Sequence, residues 1–143
     1  MKNISIDIVW FKRDLRINDH KPLYEASRTS LPTLPLFIIE PGYWTRPYAS
    51  TRHWQFARDC LIDLDSDCSQ LGQPLIVKIG EATTIFEELN TMFDIKTIRA
   101  HEETGDNWTY KRDINVREWC NKNNIRLIES PSNGVVRRLK DRD

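Results

Sequence analysis

Lys12, Arg13, Asp14 and Arg16 crowd into five positions directly after the apolar run "ISIDIVWF" at 4–11. A second polar knot, "HEETGDNWTY" at 101–110, supplies His101, Glu102, Glu103 and Trp108. Charged groups offer hydrogen bonds and Trp108 offers a face on which a planar ring can stack. Metal chemistry is not expected from His101, Glu102 and Glu103, because neighbouring side chains on an extended segment point to opposite faces. His20 and His53 have no partners nearby in sequence and read as helix-start residues. Neither GxGxxG nor GxxxxGK[ST] occurs, and with only five glycines no loop is stripped bare to hug a pyrophosphate. Arg13, Asp14 and Arg16 therefore either line a cleft for a polar or aromatic small molecule or brace the loop on which they stand.

The elements that must position these residues alternate along the chain. Strands are read at 4–11, 34–39 ("LPLFII"), 74–79 ("PLIVKI"), 96–101 ("KTIRAH") and 125–129 ("IRLIE") from their β-branched and aromatic content. Pro35 and Pro74 fall at strand starts, where a missing N–H is tolerated. A long helix from about Ser50 to Leu71 carries Trp54, Ala57, Leu61, Leu64, Cys68 and Leu71 as one apolar stripe, with Gly72 as its stop. A second begins near Glu81 with Ile85, Phe86, Leu89 and Phe93. A third follows Gly105 with Val116, Trp119 and Cys120. A short first helix has Asp19 as its expected N-cap and Pro22 in its first turn. Trp54 and Trp119 read as core residues.

Strand and helix in alternation mean α/β architecture. Right-handed crossovers favour a Rossmann-like, doubly wound parallel sheet of five strands, order 3-2-1-4-5, with helices on both faces. Ligands bind such sheets outside the carboxyl ends of the strands, where the winding reverses, here between the first and fourth strands. The loops leaving those strands are the two polar knots. A cleft is thus expected between them, with Trp108 near its mouth.

The 143 residues suit one domain, and 39% hydrophobic with 29% charged is an ordinary soluble composition. Lys+Arg and Asp+Glu both number 21, so no net field steers the chain to nucleic acid or an anionic membrane. Cys60, Cys68 and Cys120 form no CxxC pair and read as free thiols in a reducing compartment. The first residues lack a signal-peptide pattern, and no apolar run approaches the roughly 18 residues of a membrane span. A cytoplasmic location is the expectation.

"VWFKRDLRINDHKPL" resembles the opening signature of the DNA photolyase and cryptochrome family. Trp10, Phe11, Arg13, Asp14, Leu15, Arg16, Asp19 and Leu23 carry the likeness, with His20 where Asn is commoner. "LPLFIIEP" looks like the family's second strand, "STRHW" like the start of its long helix, "LGQPLIVKIGE" like its third strand, and "RDINV" like part of its last helix. The resemblance implies an N-terminal α/β domain over 1–130 that holds an antenna chromophore. Residues 131–143, including "VVRRLKDR", would begin a linker to a helical domain that is absent here.

That absent domain would hold FAD and, in a photolyase, the damaged DNA. Light caught by the antenna would pass to reduced FAD, which lends an electron to a pyrimidine dimer, so this domain needs no catalytic residue. Phe11, Lys12, Arg13, Asp14, Arg16, His101, Glu102, Glu103 and Trp108 are the candidate cofactor-binding residues. Alignment on Arg112-Asp113 puts Trp108 and Thr109 where some photolyases carry a folate-binding Asn-Glu pair. That departure leaves deazaflavin, flavin and folate open, and Trp108 either stacks on the ring or fills the cleft. A cryptochrome photoreceptor and a stand-alone nucleotide-binding protein are the alternatives. An orphaned docking face would expose an apolar patch and favour self-association.

Overall fold

The structure, a computed structural model, describes residues 3–45, 51–103 and 105–131. The proposed linker lies almost wholly outside the described residues. Ten elements follow one another: β1 (Ser5–Phe11), α1 (Lys21–Ser27), β2 (Thr33–Ile39), α2 (Pro41–Trp44), α3 (Thr51–Gln70), β3 (Ile76–Ile79), α4 (Ala82–Met92), β4 (Asp94–His101), α5 (Asn107–Lys122) and β5 (Arg126–Ser130). The five strands form one parallel sheet in the order β3-β2-β1-β4-β5, as the element order predicts. Pairing of β2 with β3 begins at Leu36, just past Pro35, so the proline costs that ladder nothing.

The period of two along β1 sorts its side chains between two cores. Ile6, Ile8 and Trp10 join Phe86 and Leu89 of α4 and Val116 of α5. Val9 and Phe11 join Ala26 of α1 and Leu61, Leu64 and Cys68 of α3. Trp10 meets Phe86 edge-on at 5.2 Å and 84°, an arrangement that contributes about 1 kcal/mol beyond the buried area. Helices therefore cover both faces of the sheet.

Local signals set most of the helix ends. Gly72 stops α3 with φ at +101°, a conformation that a β-carbon disfavours. The α3 stripe is only partly core: Leu61, Leu64 and Cys68 are buried, Trp54 is half-buried, and Leu71 is 65% exposed. Leu71 falls past the last residue of α3, in the turn that Gly72 closes, so it lies off the helix face that meets the sheet. Trp119 is half-buried, lying against Phe86 at the rim of its core.

Asp19 does not cap α1. It sits at φ +49°, and the cap is the next residue, His20, whose Nδ1 accepts the Leu23 N–H at 3.1 Å. Asp caps α5 instead: the Asp106 carboxylate accepts the Thr109 N–H at 3.0 Å. Asp106→Ala should cost about 1 kcal/mol in a denaturation midpoint, with Asp106→Asn retaining most of it. Equal losses in the two variants would mean that charge, not the cap bond, is what counts.

No helix among the described residues is long and apolar enough to cross a membrane. The three cysteines are free. Burial pushes the Cys68 thiol, beside Asp65 and Asp67, and the Cys120 thiol, near Glu129, up to about 11. Both are inert at neutral pH.

Candidate functional site: a cleft at the carboxyl edge of the sheet

β1 and β4 are paired neighbours, so the segments that leave them converge. Arg13 Nε lies 2.9 Å from Glu103 Oε2, and Lys12 Nζ lies 3.3 Å from Asp113 Oδ1. Asp14 accepts a hydrogen bond from His101 across 87 positions of sequence. The two polar knots do meet at the carboxyl edge.

Asp14 is the node of a closed brace. Its Oδ2 accepts from His101 Nδ1 at 2.7 Å and from His20 Nε2, while Oδ1 accepts the Lys12 N–H at 2.9 Å. Burial works against the charge, but the hydrogen bonds from His101, His20 and the Lys12 amide outweigh it. They hold the Asp14 carboxyl well below the usual carboxylate range. The three side chains bring one ligand atom each to within 4.8 Å of one another, a spacing that suits a metal ion. The helix cap argues otherwise. A metal on His20 Nε2 would move the ring proton to Nδ1, where it would face the Leu23 N–H.

Arg112 is the second node, reaching from α5 to three carboxylates. It donates to Glu40 Oε1 at 2.6 Å, to Asp113 Oδ1 at 2.8 Å and to Glu103 Oε1. Burial disfavours its charge, but Glu40, Asp113 and Glu103 more than offset this and raise its pKa above the usual arginine value. Its guanidinium carbon lies 4.9 Å from the Trp10 ring centroid and 5.7 Å from that of Trp108, and Lys12 Nζ lies 4.4 Å from Trp10. Two cations over one buried indole add cation–π attraction to the ion pairs.

Glu40 owes its place to Pro41. The residue before a proline is held extended, so β2 runs straight to Glu40 (φ −101°, ψ 105°), and Pro41 then opens α2. Burial pushes the Glu40 carboxyl up; Arg112 opposes the shift while Glu103 and Asp113 add to it, and the result is about 7. α2 sets Tyr43 and Trp44 beside the cleft, and Trp108 packs over Gly42, where a β-carbon would stand 3.1 Å from the indole.

The cleft has a volume of about 990 Å³, at the upper end of the range for small-molecule sites. Phe11, Lys12, Arg13, Arg16 and Glu103 line it. Asp14 and His101 are buried in the brace and are not among its lining residues, nor is the half-buried Glu102, whose N–H donates to Ser130 O at 2.7 Å. Trp108 stands one layer back, edge-on to Tyr43 at 5.7 Å, where sequence reasoning expected it at the mouth. Arg16 does two things: it lines the cleft, and it hydrogen-bonds the carbonyls of Asn18 and Asp19 at 3.1 and 3.2 Å.

Sequence reasoning missed the opposite wall. Arg52, His53, Phe56, Ala57 and Cys60 come from α3, and Glu40, Tyr43 and Trp44 from the end of β2 and α2. Phe56 was legible: it lies off the apolar stripe and is 71% exposed, an aromatic with no place in the core. Glu40 carried a weaker signal, a lone carboxylate closing an apolar strand just before a proline.

A five-stranded parallel sheet in the order β3-β2-β1-β4-β5, with helices on both faces and a cleft at its carboxyl edge, defines a Rossmann-like α/β domain. The DNA photolyase family model matches residues 7–139, and the chain belongs to that family. It is 28% identical over 141 residues to a chloroplastic/mitochondrial cryptochrome DASH of Solanum lycopersicum, covering 94% of this chain and 23% of the relative. It is 25% identical over 137 residues to a (6-4) DNA photolyase of Arabidopsis thaliana, covering 90% and 24%. The chain thus spans about a quarter of the length of these curated relatives.

Among solved structures, an archaeal photolyase from Sulfolobus tokodaii superposes with a TM-score of 0.78 at 27% identity, over 88% of this chain and 29% of that one. That structure is described as holding two FAD molecules, with the implication of a novel light-harvesting cofactor. A Synechocystis cryptochrome shares the fold with a TM-score of 0.83 at 21% identity, over 90% of this chain and 28% of that one.

Proposed function

We propose that this domain holds a planar light-absorbing chromophore in the cleft and acts as the antenna domain of a photolyase-like flavoprotein. The observation that carries the reading is the cleft itself: about 990 Å³, bordered by the family's opening motif and walled by Phe11, Tyr43, Trp44 and Phe56. Energy transfer needs proximity and orientation only, so a rigid aromatic-walled pocket without an acid–base pair suffices. In the whole protein, a helical domain would bind FAD and carry out light-driven repair on DNA. The exposed Phe56 and Ile62 of α3 are apolar surface that such a partner domain, or a second copy of the chain, would cover.

The light-harvesting cofactor implied for the Sulfolobus relative favours a flavin here, and the Trp108 and Thr109 pair favours it over folate. The test is the absorption spectrum of the purified full-length protein before and after denaturation. It should release FAD and a second chromophore. Release of FAD alone, even after incubation with flavin, deazaflavin and folate, would remove the antenna reading.

The edge-on contact of Trp108 with Tyr43 supports an indirect role, through that ring. Trp108→Ala would let Tyr43 and α2 relax into the space the indole vacates. An aromatic contact contributes on the order of 1 kcal/mol, so antenna occupancy should fall several-fold. The second-chromophore-to-FAD ratio measures it, and an unchanged ratio would show that Trp108 is a packing residue only.

A further inference from the structure

Three carboxylates share the guanidinium of Arg112, and they are not held alike. Glu103 also takes Arg13 at 2.9 Å, and Asp113 also takes Lys12 at 3.3 Å. Glu40 has Arg112 alone. Its Oε1 receives that guanidinium at 2.6 Å, while Oε2 is buried with no hydrogen-bond partner among the described residues. A buried oxygen without a partner is strongly destabilising in a carboxylate and far less so in a neutral carboxyl group. Arg112 is not stranded when Glu40 leaves, because Glu103 and Asp113 still hold it. Glu40 is the detachable member of the cluster.

Glu40 also heads α2. Its backbone carbonyl accepts the N–H groups of Tyr43 and Trp44 at 2.9 and 3.3 Å, and Pro41 follows as the first helical residue. α2 is four residues long and buries none of them. Its other ties are side-chain contacts: Trp108 over Gly42 and beside Tyr43, Trp54 beside Trp44, and the Arg13 hydrogen bond to the Tyr43 hydroxyl. A helix this small follows the residue that starts it.

We propose that Glu40 is a proton-operated latch on α2. While the carboxyl is neutral, the side chain stays in the cluster and α2 stays against Trp108. Once ionised, the side chain turns out to water, and α2 moves with it, carrying Tyr43 and Trp44 away from Trp108 and widening the cleft. The latch needs no occupant in the cleft and stands apart from the antenna reading.

The direction of the pH response follows from the groups around Glu40. Arg112 and Asp113 come from α5, Glu103 from the segment after β4, and Lys12 and Arg13 from the segment after β1, with Arg52 and His53 of α3 lining the same cleft. In the closed arrangement burial holds the carboxyl at about 7; Arg112 offsets only part of this, and Glu103 and Asp113 add to it. Turned out to water, the group returns to its ordinary value of 4.5. The arrangement with the higher pKa is favoured at low pH, so opening grows as pH rises through 7. Linkage gives about a tenfold increase in the open fraction from pH 6 to pH 8, levelling off at higher pH.

The test is amide hydrogen exchange of the purified full-length protein at pH 6, 7 and 8. It is read for α2 and α4 as protection factors, which remove the pH dependence of chemical exchange itself. In the wild type, α2 protection should fall about tenfold between pH 6 and pH 8 and stay well below that of α4 throughout. Glu40→Gln cannot ionise, so its α2 protection should be the same at all three pH values. A circular dichroism spectrum equal to that of the wild type establishes that the variant is folded, and the wild-type profile stands without it.

Wild-type α2 protection that does not change with pH would overturn the latch. So would a fall that persists in Glu40→Gln, which would assign the titration to another group. Equal protection of α2 and α4, falling together, would also overturn it, since Glu40 would then leave the cluster only when the whole domain unfolds.

Discussion

Asp14→Asn should destabilise the protein by about 3 kcal/mol at neutral pH, the scale for breaking a buried charged hydrogen-bond network. The carboxylate accepts three hydrogen bonds, from His20, His101 and the Lys12 amide, through both of its oxygens. An amide has one oxygen, so its N–H2 must face either the two imidazole donors or the Lys12 N–H. Loss of Asp14 also frees His20, and with it the cap of α1. The pH dependence has a definite sign. The folded-state pKa of Asp14 is depressed, so its stabilisation is fully present above the unfolded value of 3.8 and is lost as pH falls below that. The gap between wild type and variant should therefore shrink as pH falls below 3.8. Urea denaturation above and below that pH measures it, and a gap under 1 kcal/mol at pH 7 would show that the brace is dispensable.

Arg112→Met should cost more, about 4 kcal/mol, because it strands several charges at once. Glu40, Glu103 and Asp113 all hydrogen-bond this one guanidinium, and Lys12 and Arg13 reach only the last two. Glu40 already sits near 7 with Arg112 in place, and without it the carboxyl rises further. A raised carboxyl pKa makes ionisation in the fold unfavourable. The variant should then be least damaged near pH 5 and lose stability steadily toward pH 8. Adding Glu40→Gln should recover part of the loss, since it removes the stranded charge that neither Lys12 nor Arg13 reaches. The double variant compared with its two singles in denaturation is the decisive measurement. Strict additivity of the two losses would mean that Arg112 and Glu40 do not depend on each other.

Legibility differed between scaffold and site. β1 and α4 could be read because each is a local pattern: β-branched and aromatic residues in a row, or Ile85, Phe86 and Leu89 at helical spacing. The N-cap of α1 was misplaced by one residue because Asp is the commoner cap, and nothing local shows that His20 Nδ1 points at the Leu23 amide. Trp108 reads as a cleft residue because it lies in the polar segment 101–110 that leaves the fourth strand. Whether it faced the cleft or Gly42 depended on how close α2 comes, and a glycine 66 positions earlier gives no such sign in the sequence.

By itself the sequence determined the order of elements, the order of strands and the delivery of "KRDLR" to the carboxyl edge. Hydrophobic periodicity is local, and crossover handedness leaves few ways to wind five parallel strands. Only the tertiary structure decided which charge meets which. Arg112 could have paired with any of 21 acidic residues, and it chose Glu40, 72 positions away, because β2 ends and α5 begins at the same rim of the sheet. Asp14 found His101 across 87 positions because β1 and β4 are hydrogen-bonded neighbours. Ion pairs and hydrogen bonds act over a few ångströms, so their partners are set by where the chain returns in space. The answer to an abrupt knot of charge after a buried strand lies there: the knot is half brace and half cleft wall, divided side chain by side chain.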